Sequence, residues 1–334
     1  MDIARLESEM KRLWKETFHD SDEYVDLLFA HYFNPRYIEY EENGEGRLTA
    51  SMLGISYNLT FNGHIAKGIY LCGLATEKTE RRRGLMSRMI ERMADRMEKE
   101  GFAFLFLIPS DEHLRQYYLM RGFKDAFYKT DAVYPATGQL ESDYINAVPG
   151  MDDSLMKERY LSLTCERFAG GVPDEISRDE IAEFVMNQEA ESQIPCIAHN
   201  AEDLAVAIDE NAISGGSIYV CRDNKGRISA LAFVYDSAED GAEIYSLLFS
   251  DECGCYRLLD FIKNDFGRGA VHLYVPVESI RNLPELHGNI KPYGMVRILN
   301  FSEILKFLTG EIDCAEYSIL RKSALNWSMS LMLD

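Results

Sequence analysis

The stretch Arg81-Arg82-Arg83-Gly84-Leu85-Met86 is the most informative local pattern in this 334-residue chain. It follows an apolar run, Gly68–Ala75, that predicts a β-strand, and it opens a helical pattern over Leu85–Glu100. The first N–H groups of a helix have no partner within it, and the helix dipole makes that end positive. Cations are disfavoured there without an anion, and Gly84 lets a ligand approach because it has no Cβ. The stretch therefore predicts a pyrophosphate-binding helix start after a strand.

The charge of the chain limits its partners. It carries 35 Lys and Arg against 55 Asp and Glu, a formal net charge of −20. Nucleic-acid phosphates would be repelled, whereas polyamines or amino sugars would be attracted. Solubility alone also explains such a charge. The sequence therefore predicts no nucleic-acid partner and is compatible with a cationic ligand.

The cysteines and the N-terminus indicate the compartment. Seven scattered cysteines, an odd number, favour a reducing environment over a disulfide framework. The close pair Cys253-Gly-Cys255 has no second Cys/His pair nearby, so no metal site is expected. Residues 1–20 lack the apolar core of a signal peptide, and no apolar run reaches membrane-spanning length. We expect a cytoplasmic protein with no membrane partner.

The second half of the chain repeats landmarks of the first. The glycine-turn hairpin, the apolar strand and the strand ending in proline recur in the same order. The paired segments are Gly46–Ala50 with Gly226–Ala230, Gly68–Leu74 with Glu243–Phe249, and Phe104–Pro109 with Val271–Pro276. The pattern predicts a duplication, with domains at 1–145 and 150–334 and a boundary near 138–153; two unrelated α/β domains are the alternative. In the second copy, Ser250-Asp-Glu-Cys-Gly replaces the arginines, so only the first copy is expected to bind phosphate.

The motif is neither a P-loop, since it lacks Gly-Lys-Ser/Thr, nor a dinucleotide fold, since it lacks three spaced glycines. It resembles the Arg/Gln-x-x-Gly-x-Gly/Ala signature of the GNAT superfamily of acyl-CoA-dependent N-acyltransferases, with Met86 in place of the small last residue. The downstream segment Tyr118-Leu-Met-Arg-Gly122-Phe123 resembles the family's Tyr-x-x-x-Gly-Phe segment. Within the superfamily the chain resembles the enhanced-intracellular-survival type, in which an aminoglycoside-acetylating GNAT domain precedes a degenerate one. The C-terminal region is too short for the sterol-carrier-like domain of that type.

The resemblance implies a fold class of α+β or α/β, with tandem GNAT-like domains whose mixed sheets are flanked by helices. It also implies acetyl-CoA as the co-substrate and no metal. The residues that it assigns to acyl-CoA are Leu74, Ala75, Thr76, Arg81, Arg82, Arg83, Gly84, Leu85, Met86, Ser87 and Ser110. Arg82 and Arg83 are the better pyrophosphate candidates, and Arg81 is either solvated or near the adenosine 3′-phosphate.

In such an enzyme an amine attacks the thioester directly, so positioning supplies much of the rate. Tyr118 is the candidate general acid for the departing thiolate. A phenol with a pKa near 10 can donate to a thiol with a pKa near 8.5 only slightly uphill, so hydrogen bonding is the other option. Tyr117 is a competitor for the role, and a core tyrosine is the structural alternative.

The general base is less clear. The strand carries Tyr70 and Cys72 but no carboxylate. The resemblance implies that the chain's own C-terminal carboxylate, on Asp334, enters the site; a frayed tail is the alternative. The alternating apolar residues of 327–333 favour a buried strand instead.

Four further side chains are candidates around the acceptor. Asp20, Asp22 and Glu23 lie between the first two helical patterns, where they could bind a cationic amine, although helix capping explains Asp20 or Asp22 equally well. His113 is an outside candidate for acid–base work.

The sequence thus predicts an acetyl-CoA-dependent N-acetyltransferase acting on the primary amine of a cationic small-molecule or peptide acceptor. The alternatives are a non-catalytic acyl-CoA sensor, an interaction scaffold, or transfer of a longer acyl chain. A homo-oligomer remains open.

Overall fold

The structure of the chain is a computed structural model that describes residues 2–134, 153–237, 241–267, 270–283, 286, 288–309 and 327–329. The predicted domain boundary at 138–153 and the C-terminal Asp334 lie outside the described residues, apart from the start of one helix at Asp153.

The first half follows the predicted order of elements. Its helices and strands are α1 (Ile3–Phe18), α2 (Asp22–Tyr32), β1 (Ile38–Glu42), β2 (Leu48–Phe61), β3 (His64–Thr76), α3 (Leu85–Lys99), β4 (Phe104–Leu107), α4 (Glu112–Leu119) and β5 (Lys124–Tyr134). The apolar stripe expected on α1 is buried, with Leu6, Met10, Leu13 and Trp14 facing the core. The turn at Asn62-Gly63 joins β2 to β3 as an antiparallel hairpin, because both residues adopt the positive φ that a tight hairpin requires.

The second half has a related order of elements with additional strands. Its elements are α5 (Asp153–Ser162), β6 (Thr164–Ala169), α6 (Glu175–Ala190), β7 (Cys196–Ala198), α7 (Ala201–Ile213), β8 (Ser217–Arg222), β9 (Ile228–Ser237), β10 (Gly241–Phe249), α8 (Glu252–Phe266), β11 (Ala270–Pro276), β12 (Asn289–Ile298) and α9 (Phe301–Thr309). Helix α8 begins directly after Asp251, which caps it with its side chain.

Eleven strands lie in one continuous path, β1-β2-β3-β4-β12-β5-β11-β10-β9-β8-β6, and β7 pairs with β2 beside it. Strand β12 of the second half lies between β4 and β5, and β5 of the first half lies between β11 and β12. Each half therefore completes the sheet of the other by an exchanged strand. On both sides of this exchange the strands run inward from the edge of the sheet in chain order.

The two faces of the sheet carry separate cores. Ile69 and Leu71 of β3 pack with the α3 and α4 side chains, whereas Tyr70 and the half-buried Cys72 pack on the opposite face with those of α1 and α2. This alternation follows from the two-residue repeat of a strand. It matters for the site, because a ligand on one face of β3 meets different side chains from a ligand on the other.

The C-terminal segment 327–329 is built into the α1/α2 face. The Trp327 N–H donates to the carbonyl oxygen of Ala126 (2.8 Å), and the Ile197 N–H donates to that of Ser328 (2.8 Å). Trp327 and Met329 are buried, whereas Ser328 is half-buried. The alternation that the sequence predicts therefore holds over these three residues.

The architecture confirms the predicted fold class, a mixed sheet flanked by helices. Over the residues that the structure describes, none of the helices is both long and apolar enough to cross a membrane.

Candidate functional site

Strands β3 and β4 run parallel and then separate. They pair from Gly68 with Phe104 to Tyr70 with Phe106, after which β3 continues to Thr76 while β4 ends at Leu107. On its other edge, β3 bulges: Cys72 pairs with Leu53 and Ala75 pairs with Ser51, so Gly73 and Leu74 together oppose Met52. The side of β3 that faces the gap is thus an open edge. Such an edge can bind an extended ligand by backbone hydrogen bonds.

The predicted phosphate-binding turn has the geometry that an anion requires. Gly84, at the N-cap of α3, has φ 73° and makes no side-chain cap, and Arg82 also has a positive φ of 65°. In the described structure, the caps of six other helices are supplied by their own side chains: Asp2, Ser21, Asp111, Asp174, Asn200 and Asp251. The Arg88 N–H is the first to bond back, to Gly84 O. The N–H groups of the first turn, on Leu85, Met86 and Ser87, therefore remain available.

The three arginines have different surroundings. Arg81 donates from Nε to the carbonyl oxygen of Thr76 (3.0 Å), which ties the turn to the end of β3. Arg83 forms an ion pair with Glu80. Arg82 is exposed and has no hydrogen bond or ion pair with any residue in the described part of the chain. Of the two better pyrophosphate candidates, Arg82 is thus free to bind an anion. Arg83 would have to break its ion pair with Glu80 to do so.

A second cation stands beside the same helix start. Ser87 Oγ accepts from Arg121 Nη2 (2.6 Å) and lies 3.1 Å from the Tyr117 hydroxyl, and the Arg121 guanidinium stacks 3.2 Å over the Tyr117 ring. Arg121 lies within the Tyr118–Phe123 segment, but no sequence pattern indicates its role beside the helix start. The Ser87 side chain is occupied here, which leaves its backbone N–H for a ligand.

The remaining predicted acyl-CoA residues surround the gap. Leu74, Leu85 and Met86 are partly buried and pack against the α3-face core, and Ser110 is exposed just beyond the end of β4. Ala75 and Thr76 are held in the β2–β3 ladder through Ser51 and Ala50. The structure therefore gathers the predicted strand, turn and helix start along one side of the β3–β4 gap.

Tyr118 lies in the α3-face core, 6% exposed, with the ring centroids of Tyr117 and Phe123 at 5.2 and 5.7 Å. Among the described residues its hydroxyl has no hydrogen-bond partner, whereas the Tyr117 hydroxyl lies 3.1 Å from Ser87 Oγ. Burial raises the pKa of Tyr118 well above its usual value. Full proton transfer to a thiolate is thus more uphill than the sequence suggested, and donation of a hydrogen bond is the role that this environment favours.

The acidic candidates near the first helices are engaged elsewhere. Asp20 accepts from Trp14 Nε1 (2.7 Å), and Asp22 pairs with Lys15 (2.6 Å). Ser21, not either aspartate, is the N-cap of α2, so the capping explanation offered for Asp20 or Asp22 is wrong. Glu23 and His113 are exposed.

The C-terminal segment runs toward the gap. Trp327 forms a parallel bridge with Phe127 of β5, and β5 runs in the direction of β4, since both are antiparallel to β12. The Trp327 ring contacts Phe104 at the start of β4, and the Met329 side chain lies against Gly294, whose neighbour Met295 pairs with Leu107 at the end of β4. Asp334 follows Met329 by five residues.

In the second half the corresponding helix start is filled by a carboxylate. Asp251 accepts from the Gly254 N–H (3.0 Å) and from Ser229 Oγ (2.7 Å), and it pairs with Arg159 (2.9 Å). An anion would have to displace this carboxylate. The geometry agrees with the expectation of a single phosphate site.

Over the described residues, no group of three or more His, Cys, Asp and Glu side chains is arranged to hold a metal ion.

Comparison with known proteins identifies the first half. Residues 5–125 match the acetyltransferase (GNAT) domain family. No curated protein matches the sequence significantly. The fold resembles that of a crystal structure from Enterococcus faecalis described as a "Probable N-Acyltransferase", with 16% identity, a TM-score of 0.69, and 90% of this chain and 72% of that chain covered.

Two further crystal structures share the fold. A GCN5-related N-acetyltransferase from Kribbella flavida has 14% identity and a TM-score of 0.64, over 91% of this chain and 71% of that one. Eis1 from Mycobacterium abscessus has 11% identity and a TM-score of 0.63, over 91% and 74%. The family match shows that residues 5–125 belong to the acetyltransferase (GNAT) domain family, as the sequence predicts, and the fold of the described part of the chain is similar to those of these three solved structures.

Proposed function

We propose that this protein transfers an acetyl group from acetyl-CoA directly to a primary amine. The observation that carries the proposal is that two binding features follow each other closely along the chain. The open edge of β3 ends at Thr76, and the uncapped start of α3 follows at Gly84. One binds an extended amide-bearing arm, and the other binds the pyrophosphate at its end.

In this proposal the CoA pyrophosphate binds the N–H groups of α3 and the guanidinium of Arg82. The pantetheine arm pairs with the gap-facing edge of Leu74–Thr76. The thioester then lies beside the bulge, where N–H groups near Gly73 can stabilise the oxyanion that forms during attack. All these groups belong to the first half, and we propose that residues 1–145 are the catalytic copy and 150–334 the degenerate one.

The chemistry requires control of protons at the acceptor nitrogen and at the departing sulfur. The acceptor enters as an ammonium ion and must lose a proton before its nitrogen attacks the carbonyl carbon. The C–N bond forms, the C–S bond breaks, and the sulfur leaves as a thiolate. The Tyr118 hydroxyl, which has no other partner in the described structure, donates a hydrogen bond to that thiolate. Its raised pKa keeps the proton on the phenol.

We further propose that the C-terminal carboxylate of Asp334 lies near the amine acceptor. A chain spans at most about 3.3–3.6 Å per residue, so the five residues after Met329 reach at most about 18 Å. The direction of 327–329 toward the end of β4 supports this proposal. The net charge of −20 supports a cationic acceptor.

The test is release of CoA thiol from acetyl-CoA with a panel of polyamines, aminoglycosides and amine-bearing peptides, with the acetylated product identified by mass spectrometry. Turnover with any one amine supports the proposal. Tight CoA binding by calorimetry without turnover across the panel would instead support an acyl-CoA sensor, which Met86 at the small-residue position favours. Neither binding nor turnover would indicate a scaffold. Acyl-CoA co-purifying with the protein would reveal the acyl chain length.

A further inference from the structure

The α1/α2 face of β3 carries a chain of hydroxyl groups that ends on a carboxylate. Tyr57 of β2 and Tyr32 of α2 pack in this core, and Tyr32 donates a hydrogen bond to Asp203 Oδ1 (3.2 Å). Asp203 lies in the first turn of α7, which packs against α2. The carboxylate therefore comes from the second half of the chain, and sequence motifs of the first half could not reveal it.

This chain of hydroxyl groups is close to the strand that bounds the gap. Cys72 of β3 and Tyr32 pack against the same core, and the rings of Tyr57 and Tyr70 are 6.5 Å apart. Both β3 residues face α2, whereas the proposed phosphate and Tyr118 positions are on the α3 side. With the proposed phosphate and Tyr118 positions on the α3 side, the α2 side is the face of β3 that remains for the amine.

Capping explains only half of the environment of Asp203. Its Oδ2 accepts from the Asn200 N–H (3.0 Å) in a capping box, which is a purely structural contact. Its Oδ1 instead accepts from Tyr32, which is 171 residues away in sequence. Asp203 is only 8% exposed, so its carboxylate is shielded from bulk water and reaches the face of β3 through Tyr32. That second contact is what a proton path needs.

We propose that Tyr32 and Asp203 form the relay that removes the acceptor's proton, with Tyr32 contacting the amine and Asp203 acting through it. The inference rests on the proposed acetyl transfer. The ammonium proton passes to the Tyr32 oxygen while the Tyr32 proton passes to Asp203 Oδ1, which leaves a neutral amine and a carboxylic acid. The amine attacks the carbonyl carbon, the C–S bond breaks, and the second proton that the nitrogen loses ends on the CoA thiolate, while Asp203 returns the first proton to solvent. The balance is ammonium plus acetyl-CoA giving amide, CoA thiol and one proton.

Other titratable groups face this relay from each neighbouring element, and they are Tyr57 of β2, Tyr70 and Cys72 of β3, and the buried pair His199 and Glu189 beside β7. His199 Nδ1 and Glu189 Oε1 lie 2.6 Å apart, which commits that carboxylate to the histidine. Burial raises the pKa of Cys72, so its thiol stays neutral and does not take the amine's proton. Burial also raises the pKa of Tyr32, so it passes a proton on and does not rest as a phenolate.

The experiment compares Tyr32→Phe and Asp203→Asn with Tyr24→Phe, which removes a hydroxyl from the same helix away from the relay. Initial rates are measured against pH with the best amine of the panel. We expect Tyr32→Phe to lower kcat about 10²-fold, the lower end for general base catalysis, with the KM for acetyl-CoA unchanged. Because the relay takes the ammonium proton in the wild type, the rate of Tyr32→Phe should recover only at higher pH, where the amine loses its proton unaided.

Tyr32→Phe leaves the Asp203–Asn200 cap intact, so it tests the relay even if Asp203→Asn fails to fold. An active wild type with a Tyr32→Phe variant within twofold of it, and with the same pH profile, would overturn the relay alone. A wild type without turnover on any amine would overturn the proposed function and the relay together. A lower rate in Tyr32→Phe with an unchanged pH profile would also overturn the relay, because that pattern indicates a structural role for Tyr32.

Discussion

Gly73 of β3 rests directly on the indole of Trp14 in α1. A Cβ at this position would overlap the Trp14 ring, and the backbone φ is 57°. The bulge that separates β3 from β4 therefore depends on a glycine with a tryptophan beneath it. A larger residue must either flatten the bulge or move α1.

We expect Gly73→Ala to destabilise the protein by about 2–4 kcal/mol, because overpacking and an L-residue at positive φ each cost roughly 1–2 kcal/mol. The rate of acetyl transfer should fall by more than the loss of stability explains, because the bulge shapes the gap between β3 and β4. Urea unfolding and initial rates measure the two effects. Gly44→Ala is the matched control, because its Cβ would meet nothing within 4 Å. Unchanged stability in Gly73→Ala would contradict this packing.

Arg82→Gln should raise the KM for acetyl-CoA about 10- to 100-fold, since a charge-assisted hydrogen bond contributes about 1.5–3 kcal/mol. Unfolding should be unaffected, because Arg82 has no partner among the described residues. The difference from wild type should shrink as salt is added. Lys225→Gln, an exposed turn residue of the second half, controls for loss of one positive charge. An unchanged KM would show that Arg82 does not bind acetyl-CoA.

Tyr118→Phe should lower kcat about 10- to 100-fold with little change in the KM for acetyl-CoA. A phenol donates below its pKa and loses its proton above it, and burial raises the pKa of Tyr118. The donor is therefore present up to at least the ordinary tyrosine range near pH 10, and the deficit should be constant below it. Tyr117→Phe tests the competitor, and it should disturb cofactor binding through Ser87 more than kcat. If Tyr117→Phe lowered kcat and Tyr118→Phe disturbed cofactor binding instead, Tyr117 would be the hydrogen-bond donor to the thiolate.

Deleting residues 330–334 should lower kcat about 10²-fold if the terminal carboxylate serves the acceptor. Stability should change little, because Trp327 and Met329 stay in the core. Asp334→Asn keeps the terminal carboxylate and should remain active, which separates that group from the side chain. Full activity of the truncated chain would leave the Tyr32–Asp203 relay as the proton path.

Asp251→Ala should cost about 1–2 kcal/mol in unfolding free energy, the usual effect of losing a helix cap, with the KM for acetyl-CoA unchanged. Titration calorimetry with CoA should give one site per chain in both wild type and variant. Asp174→Ala, which removes the side-chain cap of α6, is the comparison for stability. Two sites in the wild type would show that the second half also binds the cofactor.

The local signals in the sequence account for much of the fold. The turn at Asn62-Gly63, the apolar run at Gly68 and the arginines before Gly84 predict β3, α3 and the hairpin between β2 and β3, because each depends on neighbours in sequence. The alternation at Trp327 predicts a buried segment for the same reason. Register at the bulge was not predictable, since it depends on Trp14 packing under Gly73 from a helix far upstream.

The site divides in the same way. The sequence by itself determined the pyrophosphate turn, because the demands of a helix start and a glycine are local and leave a readable motif. Only the tertiary structure decided that Tyr118 is a buried donor without a partner among the described residues, that β5 and β12 exchange places, and that Asp203 reaches Tyr32. These facts arise from burial and from contacts between residues as far apart in sequence as Phe104 and Ile298, which no local pattern encodes.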